Sequence, residues 1–395
     1  VATCTSKRPE VVLTMLALAR LGAIAAPVNF KLEQGRIADQ FATGGLRAVL
    51  LEARHDDVIA PLLGHVGDRV LYVGDRGRFA GRHYSEVATT APLAERPTVS
   101  PQSPCYFNYT SGSTGRPKGA QVTHANILWN ALSGVEGLGF GQEVFFCMFS
   151  VFAHPHELFH RALLTGGTNV VIETISPRVV AQLVAEHGVT WMMAVPSFYE
   201  MMLDHVKADS YDVSSLRVLE AGGAWVSPDT LARLEDQFDC GFMPVWGSTE
   251  TNGVALAMRP DRDRVQGATG AVVAHYQVGV FDDHGRPVAE GEQGELWVRG
   301  PAVCSGYVHM PQATALAFTD GWYRTSDLVR QEGDFYYFMG RKTDMLKVGG
   351  IRVFPLEIEQ TLVAHPEIAE AVVVRAEERV RGEVPRAVVR DRKSV

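Results

Sequence analysis

The chain has 395 residues, of which 46 % are apolar and 21 % are charged, a balance typical of a globular protein. Its net charge of −8, from 37 basic and 45 acidic residues, argues against a nucleic-acid partner, which would require a basic surface. The longest apolar run, Val144 to Phe149, is too short to span a bilayer, so no transmembrane segment is predicted. The five cysteines form no C-x-x-C pair and predict reduced thiols in a cytoplasmic protein.

The first half of the chain alternates between short apolar runs and amphipathic stretches. Val11 to Leu21 has apolar residues at helical spacing and ends at Gly22, as is typical of a helix C-terminus. Further helices are predicted where a proline suits the first helical turn, at 177–186, 196–206 and 228–238. Strands are predicted at 47–51, 69–73, 105–109, 168–172, 190–194, 216–220 and 241–245. Repeated strand–helix units predict an α/β fold with parallel or mixed sheets covered by helices.

After about residue 265, short strand-like runs are broken by Gly, Asp and Pro. The runs at 278–281, 294–298, 322–323 and 335–338 predict an antiparallel, β-barrel-like subdomain over about 265–339. We therefore expect a large N-terminal domain over 1–339. A small α+β domain is expected over 340–395, with a helix at 355–364 and a strand at 371–374. Because the chain starts with Val1 and ends on a charged run directly after a strand-like stretch, we expect it to be truncated at both ends.

The strongest local signal is a loop rich in glycine and hydroxyl side chains, Tyr-Thr-Ser-Gly-Ser-Thr-Gly-Arg-Pro-Lys-Gly-Ala over 109–120. We expect a strand before this loop and a helix, 124–135, after it. Its glycines let backbone N–H groups approach a ligand, and its hydroxyls and Lys118 can donate to phosphate oxygens. It is not a Walker A loop, because Gly119 follows the lysine, and no G-x-S-x-G nucleophile elbow is present. On composition alone, a flexible surface loop is the plainer alternative.

This loop resembles the phosphate-binding loop of the adenylate-forming (ANL) superfamily, which contains acyl-CoA synthetases, peptide-synthetase adenylation domains and luciferases. Three later segments match motifs of the same family in the same order: Trp-Gly-Ser-Thr-Glu-Thr at 246–251, Tyr-Arg-Thr-Ser-Asp at 323–327, and Gly-Arg-Lys-Thr-Asp from 340. Met-Leu-Lys-Val-Gly-Gly at 345–350 is similar to the coenzyme A ligases rather than to peptide-synthetase domains. The chain therefore resembles an AMP-binding, AMP-forming acyl-CoA synthetase over nearly its whole length.

The resemblance implies that a carboxylate attacks the α-phosphate of ATP and that a thiol then attacks the acyl-adenylate. It implies ATP and coenzyme A as co-substrates and Mg²⁺ as cofactor, held by Glu250. It gives catalytic roles to Lys118, Thr249 and Glu250. It also implies nucleotide contacts from Thr110, Ser111, Gly112, Ser113, Thr114, Gly115, Gly222, Gly223, Ala224, Trp246, Gly247, Ser248, Asp327 and Arg341. Gly349 and Gly350 would line the channel for the pantetheine arm of coenzyme A.

The acid is expected to be an apolar small molecule, fatty or aryl, in a pocket that includes His154, Trp191 and Val245; Ala153 could hold the position of His154 instead. A ligase that loads a carrier protein is the alternative within the family. The family's small domain normally ends with a catalytic lysine, and this sequence has no match for it. A second alternative is therefore a catalytically impaired fragment that only binds ATP.

One further motif indicates a different chemistry. His156-Glu157-Leu158-Phe159-His160 is a formal H-E-x-x-H sequence, in which two histidines on one helical face bind zinc and the glutamate is the general base. No third ligand is evident, since Leu163 occupies the position where the metzincin extension requires glycine. A zinc hydrolase stays an alternative, but we favour the interpretation that His156 and His160 are exposed polar residues of a helix.

Overall fold

The computed structural model describes residues 1–95, 97–110, 117–205, 211–223, 226–261, 264–349, 351–378 and 382–392. Within this part of the chain, no helix combines the length and the apolar character that crossing a membrane requires. The described residues form three extended sheets and one two-stranded hairpin.

The N-terminal sheet has five parallel strands in the order β2-β1-β3-β4-β5: β1 (Ala2–Cys4), β2 (Ala26–Pro27), β3 (Val49–Leu51), β4 (Val70–Tyr72) and β5 (Arg82–His83). Its helices are α1 (Pro9–Leu21), α2 (Gln34–Gly44), α3 (Asp56–Ile59), α4 (Leu63–Val66) and α5 (Tyr84–Ala88). Helix α1 starts with proline in its first turn and ends at Gly22, whose φ of 67° is the left-handed geometry that glycine adopts readily. Ile37 and Phe41 of α2 are fully buried against the strands.

A two-stranded antiparallel hairpin follows, formed by β6 (Pro104–Thr110) and β7 (Lys118–Thr123). Helix α6 (His124–Ser133) begins directly after β7, and Thr123 and Asn126 form a reciprocal capping box at its start. The helix predicted at 124–135 is confirmed as α6. Strand β7, which was not predicted, comes before it, because Lys118–Thr123 gain their strand geometry by pairing with β6 rather than from a local apolar pattern.

The central sheet has twelve strands and contains both strand directions. Its parallel part has the order β9-β8-β10-β11-β12, with β8 (Val144–Cys147), β9 (Thr168–Val170), β10 (Trp191–Ala194), β11 (Val218–Gly222) and β12 (Gly241–Ser248). The connecting helices are α7 (His160–Thr165), α8 (Pro177–His187), α9 (Pro196–His205) and α10 (Pro228–Phe238). Apolar residues of α8, α9 and α10 pack on one face of these strands, which explains their helical spacing in the sequence.

The antiparallel strands join this sheet edge to edge at β12. They are β13 (Gly253–Ala257), β14 (Gly270–Val272), β15 (Gln277–Phe281), β16 (Gln293–Arg299), β17 (Phe318–Thr319), β18 (Trp322–Glu332) and β19 (Phe335–Arg341), with α11 (Pro311–Ala317) before β17. The antiparallel region that we expected as a barrel-like unit is thus continuous with the parallel strands. One core cluster, which includes Trp191, Leu256 and Leu296, extends under both parts.

The last unit is a four-stranded sheet of order β21-β20-β23-β22 with one helix: β20 (Leu346–Val348), β21 (Ile351–Val353), α12 (Pro355–Val363), β22 (Ile368–Glu378) and β23 (Gly382–Asp391). Glu359 of α12 accepts a hydrogen bond of 2.7 Å from the backbone N–H of Val373, which fixes the helix on β22. The unit also contacts the central sheet, since Arg352 of β21 donates to Asp283, just after β15, at 3.1 Å. These sheets and helices agree with the α/β class and the small α+β unit predicted from the sequence.

Candidate active site

A cleft of about 840 Å³ lies at the carboxyl ends of β11 and β12, between the central sheet and helix α12. Carboxyl ends of parallel strands are where ligands bind in open α/β sheets, because helix starts and loops converge there. The volume lies within the range of small-molecule sites. Six of the predicted site residues line this cleft: Gly223, Val245, Trp246, Gly247, Asp327 and Arg341.

Asp327 is the anionic centre of the cleft. Its Oδ2 atom accepts a hydrogen bond of 2.8 Å from Nε1 of Trp246, and its Oδ1 atom lies 3.6 Å from Nε of Arg341. Burial raises the pKa of Asp327, while the indole N–H and the guanidinium act in the opposite direction. Its side chain is 14 % exposed, so the carboxylate still faces the cleft and can accept hydrogen bonds from a ligand.

Helix α12 supplies the opposite wall of the cleft through Glu357, Gln360 and Thr361. These three residues are spaced at one turn of the helix, so they lie on the side that faces β19. Sequence reasoning did not predict them as site residues, because their pattern is that of any solvated helix face. Only the contact between the last unit and the central sheet brings them to the cleft.

Glu250 lies beside the cleft in the turn after β12 and is buried at 7 % exposure. Its Oε1 atom accepts a hydrogen bond of 2.6 Å from the Tyr307 hydroxyl, and the Tyr323 hydroxyl lies next to the same carboxylate. Burial and the Glu250 charge raise the pKa of Tyr307, so its hydroxyl stays protonated and donates. Tyr307 was not predicted, because an isolated tyrosine after glycine has no characteristic spacing in the sequence.

The turn that carries Thr249 and Glu250 is held by its own side chains. The hydroxyl of Thr251 accepts a hydrogen bond of 2.8 Å from the backbone N–H of Ser248 and lies 2.7 Å from the carbonyl of Gly253. Asn252 has a φ of 54°, a left-handed geometry that is uncommon for residues other than glycine, and Tyr106 donates to its Oδ1 at 2.7 Å. This turn therefore presents Glu250 in a fixed position.

Of the predicted phosphate loop, the structure describes only the two ends, 109–110 and 117–120. Thr110 and Lys118 are directly opposite each other in the β6–β7 register, and the ammonium of Lys118 lies 5.3 Å from the ring centroid of Tyr307. Seven predicted site residues lie outside the described part of the chain: Ser111, Gly112, Ser113, Thr114, Gly115, Ala224 and Gly350.

Several predicted residues lie away from the lining of the cleft. Gly222 precedes the cleft residue Gly223 and pairs with Val245. Gly349 is exposed in the turn between β20 and β21, with a φ of 55°. Trp191 is buried in the core, where its Nε1 donates to Glu220 at 2.7 Å. His154 packs against Phe149.

The structure therefore brings only Val245 of the three expected acyl-pocket residues to this cleft. Trp191 was selected for its bulky apolar ring, and that same property places it in the core. No local feature of a sequence distinguishes an aromatic residue that lines a pocket from one that fills the interior.

The H-E-x-x-H residues form a buried cluster, so the expectation that His156 and His160 are exposed was wrong. His156, Glu157 and His160 are 1 %, 6 % and 4 % exposed, and their ligand atoms lie within 4.8 Å of one another. They do not share one α-helix, because His156 lies in a short 3-10 turn that ends before α7 begins at His160. Burial arises because this crossover segment is covered by the β6–β7 hairpin and α6.

Neighbouring groups already engage both histidines, and Arg161 pairs with the Glu157 carboxylate. Nε of Arg161 lies 2.8 Å from Glu157, and the same guanidinium donates to Glu220 at 2.6 Å. His160 is hydrogen-bonded through Nε2 to Asn130 and through Nδ1 to the carbonyl of His156. Because Arg161 neutralises the carboxylate that a zinc ion would need, the geometry does not favour a zinc hydrolase.

Comparisons with known proteins identify the family of this chain. Residues 1–308 match the AMP-binding enzyme family, and residues 357–394 match the AMP-binding enzyme C-terminal domain. The chain belongs to the AMP-binding enzyme family, as the motifs at 109–120, 246–251 and 323–327 predicted. A solved structure of the anthranilate CoA ligase AuaEII with anthranoyl-AMP has the same fold, with a TM-score of 0.91 at 23 % identity, covering 99 % of this chain and 77 % of that one.

Two curated relatives define the branch. The chain is similar to an indoleacetate–CoA ligase of Aromatoleum aromaticum, with 32 % identity over 389 residues, covering 96 % of this chain and 76 % of that protein. It is also similar to a feruloyl-CoA synthase of an Amycolatopsis species, with 30 % identity over 400 residues, covering 98 % and 78 %. The chain is therefore an AMP-forming acid–CoA ligase, whose co-substrates are ATP and coenzyme A.

Proposed function

We propose that this ligase activates an aromatic carboxylic acid in the cleft between β12 and α12. In the first step a carboxylate oxygen attacks the α-phosphorus of ATP, a P–O bond forms, and pyrophosphate leaves. In the second step the sulfur of coenzyme A attacks the acyl carbon, AMP leaves, and the thiol proton is released. The relatives named for indoleacetate and ferulate support an aromatic acid, and Val245 and Trp246 supply apolar lining.

The observation that carries the proposal is the position of Asp327. Its carboxylate is held by Trp246 and Arg341 at the end of the parallel strands, where it can accept hydrogen bonds from both ribose hydroxyls. Gly223, with a φ of 87°, leaves room for an adenine ring against the backbone. Arg341 is largely exposed and can contact the ribose or a phosphate.

The phosphates would lie between Asp327 and the β6–β7 hairpin. Lys118 can neutralise developing charge on the β- and γ-phosphates, and Thr249 can donate to the α-phosphate. The carboxylate of Glu250, oriented by the Tyr307 hydroxyl, offers the hard oxygen ligand that Mg²⁺ prefers. When bound, that ion supplies charge neutralisation to the triphosphate.

Because all five cysteines are unpaired, we place the reaction in the cytoplasm.

Acid-dependent exchange between ATP and pyrophosphate tests the proposal. The chain is assayed with indole-3-acetate, ferulate, octanoate and acetate, and the coenzyme A thioester is identified by mass spectrometry. We expect the aromatic acids to support the fastest exchange. Lys118→Ala should slow the exchange about a hundredfold, whereas Lys31→Ala, at an exposed lysine, serves as the matched control.

Each alternative gives a different pattern in this assay. ATP binding without exchange for any acid would contradict the proposal and favour a chain that only binds nucleotide. If exchange were fastest with octanoate, the substrate would be a fatty acid instead of the proposed aromatic acid. Exchange without transfer to coenzyme A, but with transfer to a carrier-protein thiol, would favour the carrier-protein alternative.

A further inference from the structure

Tyr307 contacts both charged residues that the proposed function assigns to the phosphates of ATP. Its hydroxyl donates to Oε1 of Glu250 at 2.6 Å, and its ring centroid lies 5.3 Å from Nζ of Lys118. The second distance is within the range of a cation–π contact. Among the described residues, Lys118 forms no ion pair with a carboxylate, so the ring of Tyr307 is a principal neighbour of the ammonium.

The backbone around Tyr307 holds this side chain in a fixed position. The backbone of Tyr307 forms an isolated antiparallel bridge with Ala120 of β7, and the N–H of Val308 donates to the carbonyl of Gly119 at 2.8 Å. Its own N–H donates to the hydroxyl of Thr314 at 2.9 Å. The segment is therefore an additional partner of β7, which places Tyr307 next to the strand that begins with Lys118.

A second backbone contact ties the same segment to the turn that carries Glu250. The N–H of Cys304 donates to the carbonyl of Glu250 at 2.9 Å. Tyr307 itself is 6 % exposed and packs against Phe318. The hydroxyl and the carboxylate thus approach each other between two backbone segments that are fixed independently of the side chains.

We infer that Tyr307 is a positioning residue for ATP with its magnesium ion: it orients the Glu250 carboxylate through its hydroxyl and the Lys118 ammonium through its ring. The inference rests on the proposed function of Glu250 and Lys118. A carboxylate oxygen that accepts one hydrogen bond keeps a lone pair for a cation, so the hydroxyl orients Glu250 without blocking it. The ring attracts the ammonium without neutralising it, so the positive charge stays available to phosphate oxygens.

The test separates the hydroxyl from the ring by calorimetric titration of ATP with excess Mg²⁺ and with EDTA. Tyr307→Phe keeps the ring, so we expect the affinity for ATP with Mg²⁺ to fall about tenfold, with the affinity in EDTA unchanged. Tyr307→Leu removes the ring as well and should weaken binding in EDTA too. Tyr199→Phe is the matched control, since Tyr199 is a buried tyrosine whose hydroxyl lies within hydrogen-bond distance of two backbone carbonyls and does not line the cleft.

A double-mutant cycle shows whether Tyr307 acts through Glu250. In a Glu250→Gln background, Tyr307→Phe should cause no further loss of the Mg²⁺-dependent gain in affinity. Equal Mg²⁺-dependent gains in Tyr307→Phe and the unchanged chain would overturn the inference, and so would the same loss in Tyr199→Phe. If the unchanged chain bound ATP without any dependence on Mg²⁺, the proposed role of Glu250 would itself be wrong, which is a distinguishable result. Thermal unfolding of each variant confirms that it is folded before titration.

Discussion

Two groups of charged side chains lie on the central sheet, and they differ in their access to solvent. In the cleft, Asp327 is paired with Arg341 at 3.6 Å, and the arginine side chain is 68 % exposed. In the crossover after β8, Arg161 lies between Glu157 and Glu220, and all three side chains are at most 6 % exposed. The first group is open to solvent and can exchange its partners for a ligand, whereas the second group is shielded from solvent.

The difference shows that residue types alone do not identify a site. Both groups combine carboxylates with an arginine and an indole N–H, since Trp246 donates to Asp327 and Trp191 donates to Glu220. In the buried group Glu220 accepts hydrogen bonds from both Arg161 and Trp191, so the cluster joins β10, β11 and α7. In the cleft the contacts are fewer and longer, which leaves hydrogen-bonding capacity for a nucleotide.

The largest expected effect comes from removing the central charge of the buried group. Arg161→Met leaves Glu157 and Glu220 buried without a counter-charge, which should lower the free energy of unfolding by about 3–5 kcal/mol. Urea denaturation measures this change. ATP affinity of the folded fraction should stay the same, because Arg161 does not line the cleft.

A matched control and a rescue sharpen this prediction. Arg286→Ala removes an arginine from an exposed pair with Asp282 and should leave the stability nearly unchanged. Adding Glu157→Gln and Glu220→Gln to Arg161→Met should recover part of the loss, since the uncompensated charges disappear. A similar loss for Arg286→Ala, or an Arg161→Met variant of normal stability, would mean that burial does not distinguish the two groups.

The next largest effect concerns the cleft, where a substitution should lower ATP affinity but leave stability nearly unchanged. Asp327→Asn keeps an acceptor for Trp246 but removes the charge, so ATP affinity should fall about tenfold or more, as expected for hydrogen bonds to a charged group. Stability should change by less than about 1 kcal/mol, because burial already disfavours the carboxylate and raises the pKa of Asp327. Calorimetric titration and urea denaturation check the two values. Loss of stability with unchanged ATP affinity would mean that Asp327 stabilises the fold and does not bind ATP.

The smallest effect is a pH dependence of stability to which His160, beside Glu157 of the buried group, and His154 contribute. Burial lowers the pKa of His160 to about 3 and that of His154 to about 4. Between pH 6 and pH 5 the unfolded chain therefore takes up protons at these residues while the folded chain does not. Stability must fall as the pH falls through this window, by at most about 1.4 kcal/mol per pH unit for each histidine.

His160→Asn should remove one histidine from this linkage, so the slope of the unfolding free energy between pH 6 and pH 5 should become smaller. His187→Asn, at the exposed end of α8, is the matched control. Urea denaturation at several pH values gives the slopes. If His160→Asn kept the slope of the unchanged chain, the imidazole of His160 would be protonated in the folded state, contrary to its burial.

Several elements were predictable from the sequence because their signals are local. Helices α8 and α10 were predicted within one residue, since each has proline in its first turn and an apolar face of helical period. Strand β18 was predicted only at 322–323, although it extends over Trp322–Glu332. Its later residues, such as Arg330 and Gln331, are polar and gain strand geometry by pairing with β16 and β19. The pairing with β16 joins segments far apart in the chain, such as Arg330 and Gln293, which no local pattern reports.

The sequence by itself determined the family and the identity of the chemistry-bearing motifs. Tyr-Thr-Ser-Gly at 109–112, Thr249–Glu250 and Asp327 are short, ordered segments whose residue types suit phosphate, Mg²⁺ and ribose. The tertiary structure decided which charged residues face a ligand. It placed Asp327 in a cleft completed by Gln360, buried the H-E-x-x-H residues against Arg161, and brought Tyr307 between Lys118 and Glu250. Accessibility and pairing arise from contacts between distant segments, so they are properties of the fold rather than of any local stretch of sequence.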